Sequence, residues 1–250
     1  MKIKWGKLLR KGKAMFLAYD QGMEHGPSDF DDENVNPLEI ISIAKRGKFT
    51  GLIVQKGIAE KYNKEIRKSG VPLILKLNGK TNLVKGEPIS PQICSVAEAV
   101  KLGAKAVGYT IYLGSEHEEE MSREFAKIEK EAHALKIPVI AWIYPRGKSV
   151  RRKSKIKLMV YVARFGLEIG ADIVKLNYFG KLKDLKWAVK NAGRCKIVVA
   201  GGVKKNEGEL LKQVREVMSS GACGLAVGRN VWQAREPLKV AGKLRKVIFN

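Results

Sequence analysis

Apolar and polar positions follow two different patterns along the chain. Short segments rich in Val, Ile and Leu recur over its whole length, and each is typical of a strand buried on both faces. Between them lie longer segments in which apolar residues recur at helical spacing. The pattern predicts eight strands, over residues 15–20, 51–55, 73–77, 106–112, 138–144, 172–177, 196–200 and 224–228.

The segments between these strands predict eight helices. Several of them end at a glycine, which accepts the left-handed backbone conformation that stops a helix. One sequence motif, typical of a turn from a helix into a strand, is repeated at residues 102–107, 169–174 and 220–225. We predict helices over residues 37–46, 58–68, 95–102, 116–135, 155–169, 182–191, 207–219 and 231–247.

Eight successive strand–helix units are the number that closes a parallel barrel. The length of 250 residues suits one large domain, and no linker rich in Pro, Gly or Ser interrupts the chain. We therefore expect a single α/β domain over residues 1–250, a TIM (β/α)8 barrel. Catalytic groups in this fold lie at the carboxyl ends of strands. The polar residues predicted there are Asp20, Lys56, Lys76, Asn78, Tyr144, Lys175, Asn177 and Arg229.

Lys175 lies within the apolar segment 172–178. Burial of a charged amine costs free energy, so its pKa falls, and a neutral lysine amine attacks carbonyl groups. Lys76 lies in a similar segment and is a rival nucleophile by the same argument. A structural ion pair is an equally good interpretation of either lysine.

Side chains two residues apart on a strand share a face, which can be the interior of a closed barrel. By this rule Trp142 and Tyr144 point the same way on the fifth strand, and Lys175 points inward on the sixth. Together with Asp20, the pattern predicts an amine, a phenol and a carboxylate around one cavity.

Two loops near the C-terminus are candidates for phosphate binding. Gly201 and Gly202 follow the seventh strand, and Gly228 and Arg229 follow the eighth, where barrels often bind phosphate through backbone N–H groups. Arg146, in the loop after the fifth strand, is a further candidate because a guanidinium binds phosphate in bidentate fashion.

The residues that ligate transition metals are few and scattered. Three cysteines occur without a C-x-x-C motif, and only three histidines are present. We therefore predict chemistry without a metal and no disulfide framework. One histidine, His25, follows Asp20 in a loop and is a candidate to hydrogen-bond a substrate phosphate or hydroxyl.

The chain is strongly basic, with 48 Lys and Arg against 25 Asp and Glu and a net charge of +23. The positive electrostatic potential of such a protein attracts nucleic acid, but it also steers small phosphorylated substrates toward the protein. No aromatic and basic interleaving accompanies the charge, so nucleic-acid binding, or a scaffold role on a barrel without activity, is the remote alternative. We assign no function to the basic peak at residues 151–157.

Membrane segments are not predicted. No run of 18 or more apolar residues occurs, and residues 1–7 lack the apolar stretch of a signal peptide. We expect a soluble cytoplasmic protein.

Several motifs together resemble one family, the archaeal-type class I fructose-bisphosphate aldolases. The resemblance covers most of the chain and implies a TIM barrel that cleaves fructose 1,6-bisphosphate reversibly to dihydroxyacetone phosphate and glyceraldehyde 3-phosphate. It also implies no metal or other cofactor and self-association into homo-oligomers. The motifs are residues 17–27, 76–81, 108–112, 144–147, 170–172 with Lys175, and 226–233.

The resemblance also implies residue roles. It selects Lys175 over Lys76 as the Schiff-base lysine, with Tyr144 as the main proton donor and acceptor. Asp20 assists proton transfer and orients substrate hydroxyls, and Trp142 lines the pocket. The phosphate on C1 is assigned to Gly201, Gly202, Gly228 and Arg229, and the phosphate on C6 to Arg146, with His25.

The chain departs from many relatives at two positions. Gln21 stands where a histidine is common, and Ala200 stands where a serine often precedes the paired glycines. A related enzyme, 2-amino-3,7-dideoxy-D-threo-hept-6-ulosonate synthase, shares the Tyr-Pro-Arg-Gly and lysine motifs and is the nearest alternative. Residues 24–27 and 78–81, together with Trp142, favour the aldolase.

Overall fold

Eight parallel strands close into a barrel in the order in which they occur along the chain. The computed structural model describes residues 3–250. All eight predicted strands are confirmed, each within two residues of its predicted bounds. They are β1 (Ala14–Ala18), β2 (Gly51–Gln55), β3 (Leu73–Lys76), β4 (Ala106–Leu113), β5 (Val139–Pro145), β6 (Ile173–Leu176), β7 (Lys196–Ala200) and β8 (Gly224–Val227).

Helices surround the barrel and cover its outer face. Each βα connection contributes at least one of them, and several predicted bounds are matched residue for residue. They are α1 (Gly22–His25), α2 (Pro37–Arg46), α3 (Lys56–Lys61), α4 (Asn63–Ser69), α5 (Val96–Lys101), α6 (Glu118–Ala134), α7 (Lys155–Glu168), α8 (Leu182–Asn191), α9 (Glu207–Ser219), α10 (Arg229–Trp232) and α11 (Pro237–Phe249).

Two predicted helices are each divided in the structure. The segment 58–68 is interrupted at Tyr62, whose backbone leaves the helical region (φ −114°, ψ 25°), and forms α3 and α4. The segment 231–247 is divided into α10 and α11 because Pro237 begins the second helix. A residue before proline avoids helical angles, and the backbone of Glu236 lies outside the helical region (φ −131°, ψ 74°).

Alternate residues of each strand face the interior of the barrel. Because the strand period is two, the other residues pack outward against the helices and form the main core. Trp142 is the largest interior side chain, and a Cβ atom on Gly108 of the neighbouring strand would lie only 1.4 Å from its ring. The other interior residues include Phe16, Ile53, Ile74, Ile140, Ile173 and Val198.

The same alternation brings polar side chains to the carboxyl end of the barrel. Ile173 and Trp142 face the interior of the barrel. Lys175 and Tyr144 lie two residues further along the same strands, so they face the interior as well, nearer its carboxyl end. Lys175 is aligned with Trp142 of β5 and with Val198 of β7. Within residues 3–250, no helix combines the length and apolar composition needed to cross a membrane.

Candidate active site

A cavity of about 290 Å³ opens at the carboxyl end of the barrel, above the apolar interior. It brings together Lys175, Tyr144 and Asp20, which come from three different strands or the residues after them. The predicted convergence of amine, phenol and carboxylate is therefore present. The rest of its lining is Ala18, Gln21, Glu24, His25, Arg146, Asn177, Ala200, Gly201, Gly202, Val203, Ala226, Gly228 and Arg229.

Lys175 is buried, with 7% of its surface exposed. Burial lowers the pKa of its amine, although the negative charges of Asp20 and Glu24 oppose the shift. No carboxylate within residues 3–250 lies within ion-pair distance of Nζ, and the nearest described cation–π contact places Nζ 5.3 Å from the centroid of the Trp142 ring. The amine therefore has a larger neutral fraction than an ordinary lysine, as a nucleophile requires.

Lys76, the rival lysine, has a different environment. Its Nζ lies 3.4 Å from Oδ2 of Asp20, and both side chains are almost completely buried. Lys76 is not part of the cavity lining. The structural ion pair that the sequence left open for both lysines is thus formed by Lys76 and not by Lys175.

Asp20 is held in its ionised form by the two lysines. Burial alone would raise the pKa of this carboxyl group, but the charges of Lys175 and Lys76 lower it below its ordinary value. Asp20 therefore supplies a fixed negative charge beside the Lys175 amine, where an iminium ion would form.

Tyr144 is protonated at neutral pH. Burial raises the pKa of its phenol, and the negative charge of Asp20 raises it further. A protonated phenol in the wall of the cavity is a proton donor, and the phenolate left after donation is a strong base.

Arg146 is fixed at the cavity rim by aromatic rings and by a carboxylate. Its guanidinium carbon lies 5.3 Å from the ring centroid of Tyr112 and 5.7 Å from that of Tyr144, and its NH1 donates to Oε1 of Glu24 at 2.6 Å. Burial would raise the pKa of Glu24, but Arg146 lowers it overall. The sequence did not single out Glu24, whose only signal was its place in a motif soon after Asp20.

The two glycine-bearing loops adopt the geometry that close backbone approach requires. Gly202 has a positive φ of 77°, and a Cβ atom on Gly228 would lie 2.6 Å from the carbonyl oxygen of Ala18. The N–H group of Gly201 already donates to the carbonyl of Ala226 at 2.8 Å. Gly201 therefore shapes the loop and does not offer its own N–H group to an anion.

Asn230 joins these two loops and was not predicted. Its Nδ2 donates to the carbonyls of Gly201 (3.2 Å) and Val203 (3.0 Å), and its Oδ1 accepts from the N–H group of Lys205 (2.7 Å). The side chain is buried, so these bonds are protected from water. Asn230 thus fixes the relative position of the loops after β7 and β8.

A second unpredicted residue, Asp29, links two of the predicted site residues. Its Oδ2 lies 2.6 Å from Nδ1 of His25, and its Oδ1 lies 3.4 Å from NH1 of Arg229. Gln233 donates to the carbonyl of Asp29 at 2.7 Å. His25 and Arg229 are therefore positioned on the same side of the cavity by one carboxylate.

Three further sequence expectations are located by the structure. Trp142 is only 1% exposed and packs beneath the Lys175 amine; it does not itself line the cavity, so its part in substrate binding stays a prediction. Gln21 and Ala200, the two departures, both line the cavity. In the part of the chain that the structure describes, no group of three or more His, Cys, Asp or Glu side chains is placed to hold a metal ion.

The fold and the cavity define a class of enzyme. A buried lysine amine of lowered pKa, beside a fixed carboxylate and a protonated phenol, is suited to forming an imine with a carbonyl substrate. The glycine loops after β7 and β8 stand where barrel enzymes bind phosphate. The class is therefore that of barrel enzymes that form a Schiff base with a phosphorylated carbonyl compound.

Comparison with known proteins specifies the family. Residues 14–234 match the DeoC/LacD family aldolase model. The chain is 49% identical over 243 residues to the class 1 fructose-bisphosphate aldolase of Thermoproteus tenax, covering 96% of this chain and 91% of that protein. It is 38% identical, over 96% of its length and 81% of the relative, to the fructose-bisphosphate aldolase/6-deoxy-5-ketofructose 1-phosphate synthase of Methanocaldococcus jannaschii.

Solved structures agree with these relatives. One is an archaeal fructose-1,6-bisphosphate aldolase whose catalytic Lys is covalently bound to the carbinolamine intermediate of its substrate. It superimposes with a TM-score of 0.92 at 46% identity, covering 98% of both chains. The chain belongs to the archaeal-type class I fructose-bisphosphate aldolases of the DeoC/LacD family.

Proposed function

We propose that the chain cleaves fructose 1,6-bisphosphate reversibly to dihydroxyacetone phosphate and glyceraldehyde 3-phosphate through an imine on Lys175. The observation that carries this proposal is the convergence of Lys175, Tyr144 and Asp20 on one cavity that the glycine-bearing loops after β7 and β8 also line. The relatives support the substrate, because those named above are all fructose-bisphosphate aldolases. None carries the name of a heptulosonate synthase, so that alternative has no support beyond shared motifs.

The reaction begins with attack of the neutral Lys175 amine on the C2 carbonyl. The resulting carbinolamine loses its hydroxyl group as water when the Tyr144 phenol donates a proton, which leaves an iminium ion and a phenolate. Asp20 is negatively charged and lies beside this position, so it stabilises the iminium cation. The iminium then serves as the electron sink for cleavage.

Cleavage and release use the same phenol. The Tyr144 phenolate accepts the proton of the C4 hydroxyl, the C3–C4 bond breaks, and its electron pair moves to the imine nitrogen as an enamine. Tyr144 then donates its proton to C3, which restores the iminium. Water adds to C2 while the phenolate takes up a proton, and collapse of the carbinolamine releases dihydroxyacetone phosphate and the free amine.

The substrate carries two phosphates and needs two anion sites. We assign the phosphate on C1 to the loops after β7 and β8, through Gly202, Gly228 and Arg229, with Gly201 and Asn230 shaping the loops. The phosphate on C6 is assigned to Arg146, with His25; the carboxylate of Asp29 contacts both His25 and Arg229. We also propose that the chain self-associates and works in the cytoplasm.

Lys76 has a positioning role through Asp20, and its replacement by methionine tests this. Loss of its charge removes one of the two cations that lower the pKa of Asp20, so the carboxyl group will protonate at higher pH. We expect kcat/KM to fall about 10- to 100-fold at neutral pH and the acid limb of the pH profile to move to higher pH. Lys76→Arg, which keeps the cation, should restore most of the activity and the original limb. An unshifted acid limb in Lys76→Met would contradict the role.

Turnover of fructose 1,6-bisphosphate in the presence of a chelator tests the proposed chemistry as a whole. The imine supplies the electron sink that a metal ion would otherwise supply, so we expect the initial rate to be the same with and without EDTA. The rate is measured by coupling both triose phosphates to NADH oxidation. Loss of the rate in EDTA and its return with zinc would overturn the imine mechanism.

A further inference from the structure

Five side chains within residues 3–250 carry a buried polar atom that has no hydrogen-bond partner in that range. They are Gln21, Gln55, Ser90, Thr110 and Trp142. A buried donor or acceptor without a partner costs free energy, so each such group in a folded protein calls for an explanation. Gln21 differs from the other four because it alone lines the active-site cavity.

Gln21 directly follows Asp20 and precedes α1. Its backbone carbonyl accepts a hydrogen bond from the N–H group of His25 at 2.8 Å, so the backbone has a structural part. The amide has no such part, because Nε2 is buried without a partner in residues 3–250 and the side chain does not cap the helix that it precedes. The residue is only partly buried, and the rest of the side chain forms part of the cavity wall.

The terminal amide of glutamine presents an acceptor oxygen and a donor nitrogen of nearly the same size. A half-turn about the last side-chain bond exchanges these two atoms without changing the volume of the side chain. Whichever atom faces the cavity, a hydroxyl group can pair with it, because a hydroxyl group both donates and accepts. A phosphate dianion only accepts, so it fits one of the two orientations. The amide therefore matches a hydroxyl group better than an anion.

The position of Gln21 in the chain indicates which hydroxyl groups it can reach. Asp20, the preceding residue, lies close enough to the Lys175 amine for the two charges to interact, and that amine is where C2 of the substrate is attached in the proposed reaction. C3 and C4 follow C2 in the substrate, and each carries a hydroxyl group. A neutral amide adds no charge here, so the negative charge of Asp20 remains available to stabilise the iminium ion.

We propose that Gln21 hydrogen-bonds the substrate hydroxyl on C3 or C4, beside the bond that is cleaved, and makes the enzyme selective for hydroxylated ketose phosphates over their deoxy analogues. This inference rests on the proposed function. It also gives a role to one of the two positions at which the chain departs from many relatives, because a histidine there also donates and accepts. A site built to hydrogen-bond a hydroxyl group rejects an analogue that lacks it.

The test compares Gln21→Met with Gln55→Met. Both replacements remove an amide that has an unpartnered buried atom and keep a similar side-chain length, but Gln55 does not line the active-site cavity. We expect kcat/KM for fructose 1,6-bisphosphate to fall about tenfold in Gln21→Met and to change by less than about threefold in Gln55→Met. Gln21→His, measured at about pH 8, where an ordinary imidazole is neutral, should recover most of the loss.

Covalent trapping with borohydride shows which hydroxyl group is bound. Dihydroxyacetone phosphate carries the C3 hydroxyl, and hydroxyacetone phosphate lacks it. If the C3 hydroxyl is bound, the concentration of dihydroxyacetone phosphate that gives half-maximal trapping should rise about tenfold in Gln21→Met, while that of hydroxyacetone phosphate should not change. If the C4 hydroxyl is bound, neither concentration should change although kcat/KM for the bisphosphate falls.

Thermal unfolding separates this role from a structural one. Removal of an unpartnered buried amide should leave the Tm of Gln21→Met equal to or above that of the wild type. An unchanged kcat/KM, a loss that Gln21→His does not recover, an equal loss of trapping for both triose compounds, or a lower Tm that accompanies the loss would each overturn the proposal. A wild-type protein that traps no dihydroxyacetone phosphate would instead refute the imine function, so the two failures are distinguishable.

Discussion

Replacing Lys175 by methionine will abolish aldol cleavage, with kcat lower by at least about 10⁴-fold. Methionine has a similar length and no charge, so it fills the same space at the top of the barrel interior but forms no imine. The fold should be retained, because the buried amine has no carboxylate within ion-pair distance in residues 3–250 and its desolvation cost is removed with it. Activity is measured by single-turnover cleavage, and stability by thermal unfolding.

The same variant has an expected pH signature in stability. The folded-state pKa of Lys175 is lower than its unfolded value of 10.5, so the unfolded state binds more protons, and wild-type stability rises with pH between the lowered pKa and that value. Lys175→Met lacks this dependence. Its gain in Tm over the wild type should therefore be largest at neutral pH and should shrink as the pH approaches 10.5. A gain that is the same at every pH would contradict the lowered pKa.

Lys76→Met serves as the matched control for Lys175→Met, because it removes the other buried lysine at this end of the barrel. It should retain covalent trapping of substrate even though its turnover is reduced. If Lys175→Met kept more than about one hundredth of the wild-type kcat, the nucleophile would have to be another residue.

Replacing Tyr144 by phenylalanine will lower kcat by about 10³-fold and leave KM within a few-fold of the wild-type value. In the proposed mechanism the phenol transfers the proton at carbinolamine dehydration, at the C4 hydroxyl and at C3, and the variant keeps the proposed binding groups for both phosphates. The exchange of the C3 hydrogen of dihydroxyacetone phosphate with deuterated water, followed by NMR, isolates the last of these steps. That exchange should be reduced as strongly as cleavage.

Tyr112→Phe is the control for this variant. Tyr112 is aligned with Tyr144 on the neighbouring strand and contacts the same guanidinium of Arg146, but it does not line the active-site cavity. Its replacement should leave hydrogen exchange nearly unchanged. Equal losses in the two variants would indicate that the loss of any phenol hydroxyl near Arg146 disturbs the site, and that proton transfer by Tyr144 is not the cause.

The barrel was predictable because each strand is buried on both faces. Continuous apolar segments such as Gly51–Gln55 and Lys196–Ala200 therefore contrast sharply with the amphipathic helices around them. The sequence pattern did not show where two of the predicted helices are interrupted. The break at Tyr62 depends on backbone angles that no residue there demands, whereas the break before Pro237 follows from a known restriction and could have been predicted.

The active site was only partly predictable. The two-residue alternation of side chains along a strand predicted that Lys175 and Tyr144 face the interior. It predicted the same for Lys76, because both lysines lie in apolar segments of the same kind. What separates them is the position of one carboxylate, Asp20, which lies 3.4 Å from Lys76. The strand order, in which β1 and β3 are both neighbours of β2, brings these side chains together.

Residues that act through loops were missed for a related reason. Asp29 contacts Arg229, which is 200 positions away in the chain, and Asn230 joins carbonyls of the loop after β7. Asp29 is one of four acidic residues within positions 29–33, and Asn230 follows a residue already assigned to phosphate binding, so neither stood out in the sequence. Their roles depend on how the loops fold over the barrel, which hydrophobic periodicity does not describe.

Covalent trapping followed by peptide mapping tests directly whether Lys175 forms the imine. The protein is incubated with dihydroxyacetone phosphate, reduced with borohydride and digested, and the modified peptide is identified by mass spectrometry. We expect a reduced adduct on Lys175 in the wild-type protein and in Lys76→Met, and none in Lys175→Met. An adduct confined to Lys76, or no adduct in a protein that still cleaves fructose 1,6-bisphosphate, would contradict this role of Lys175.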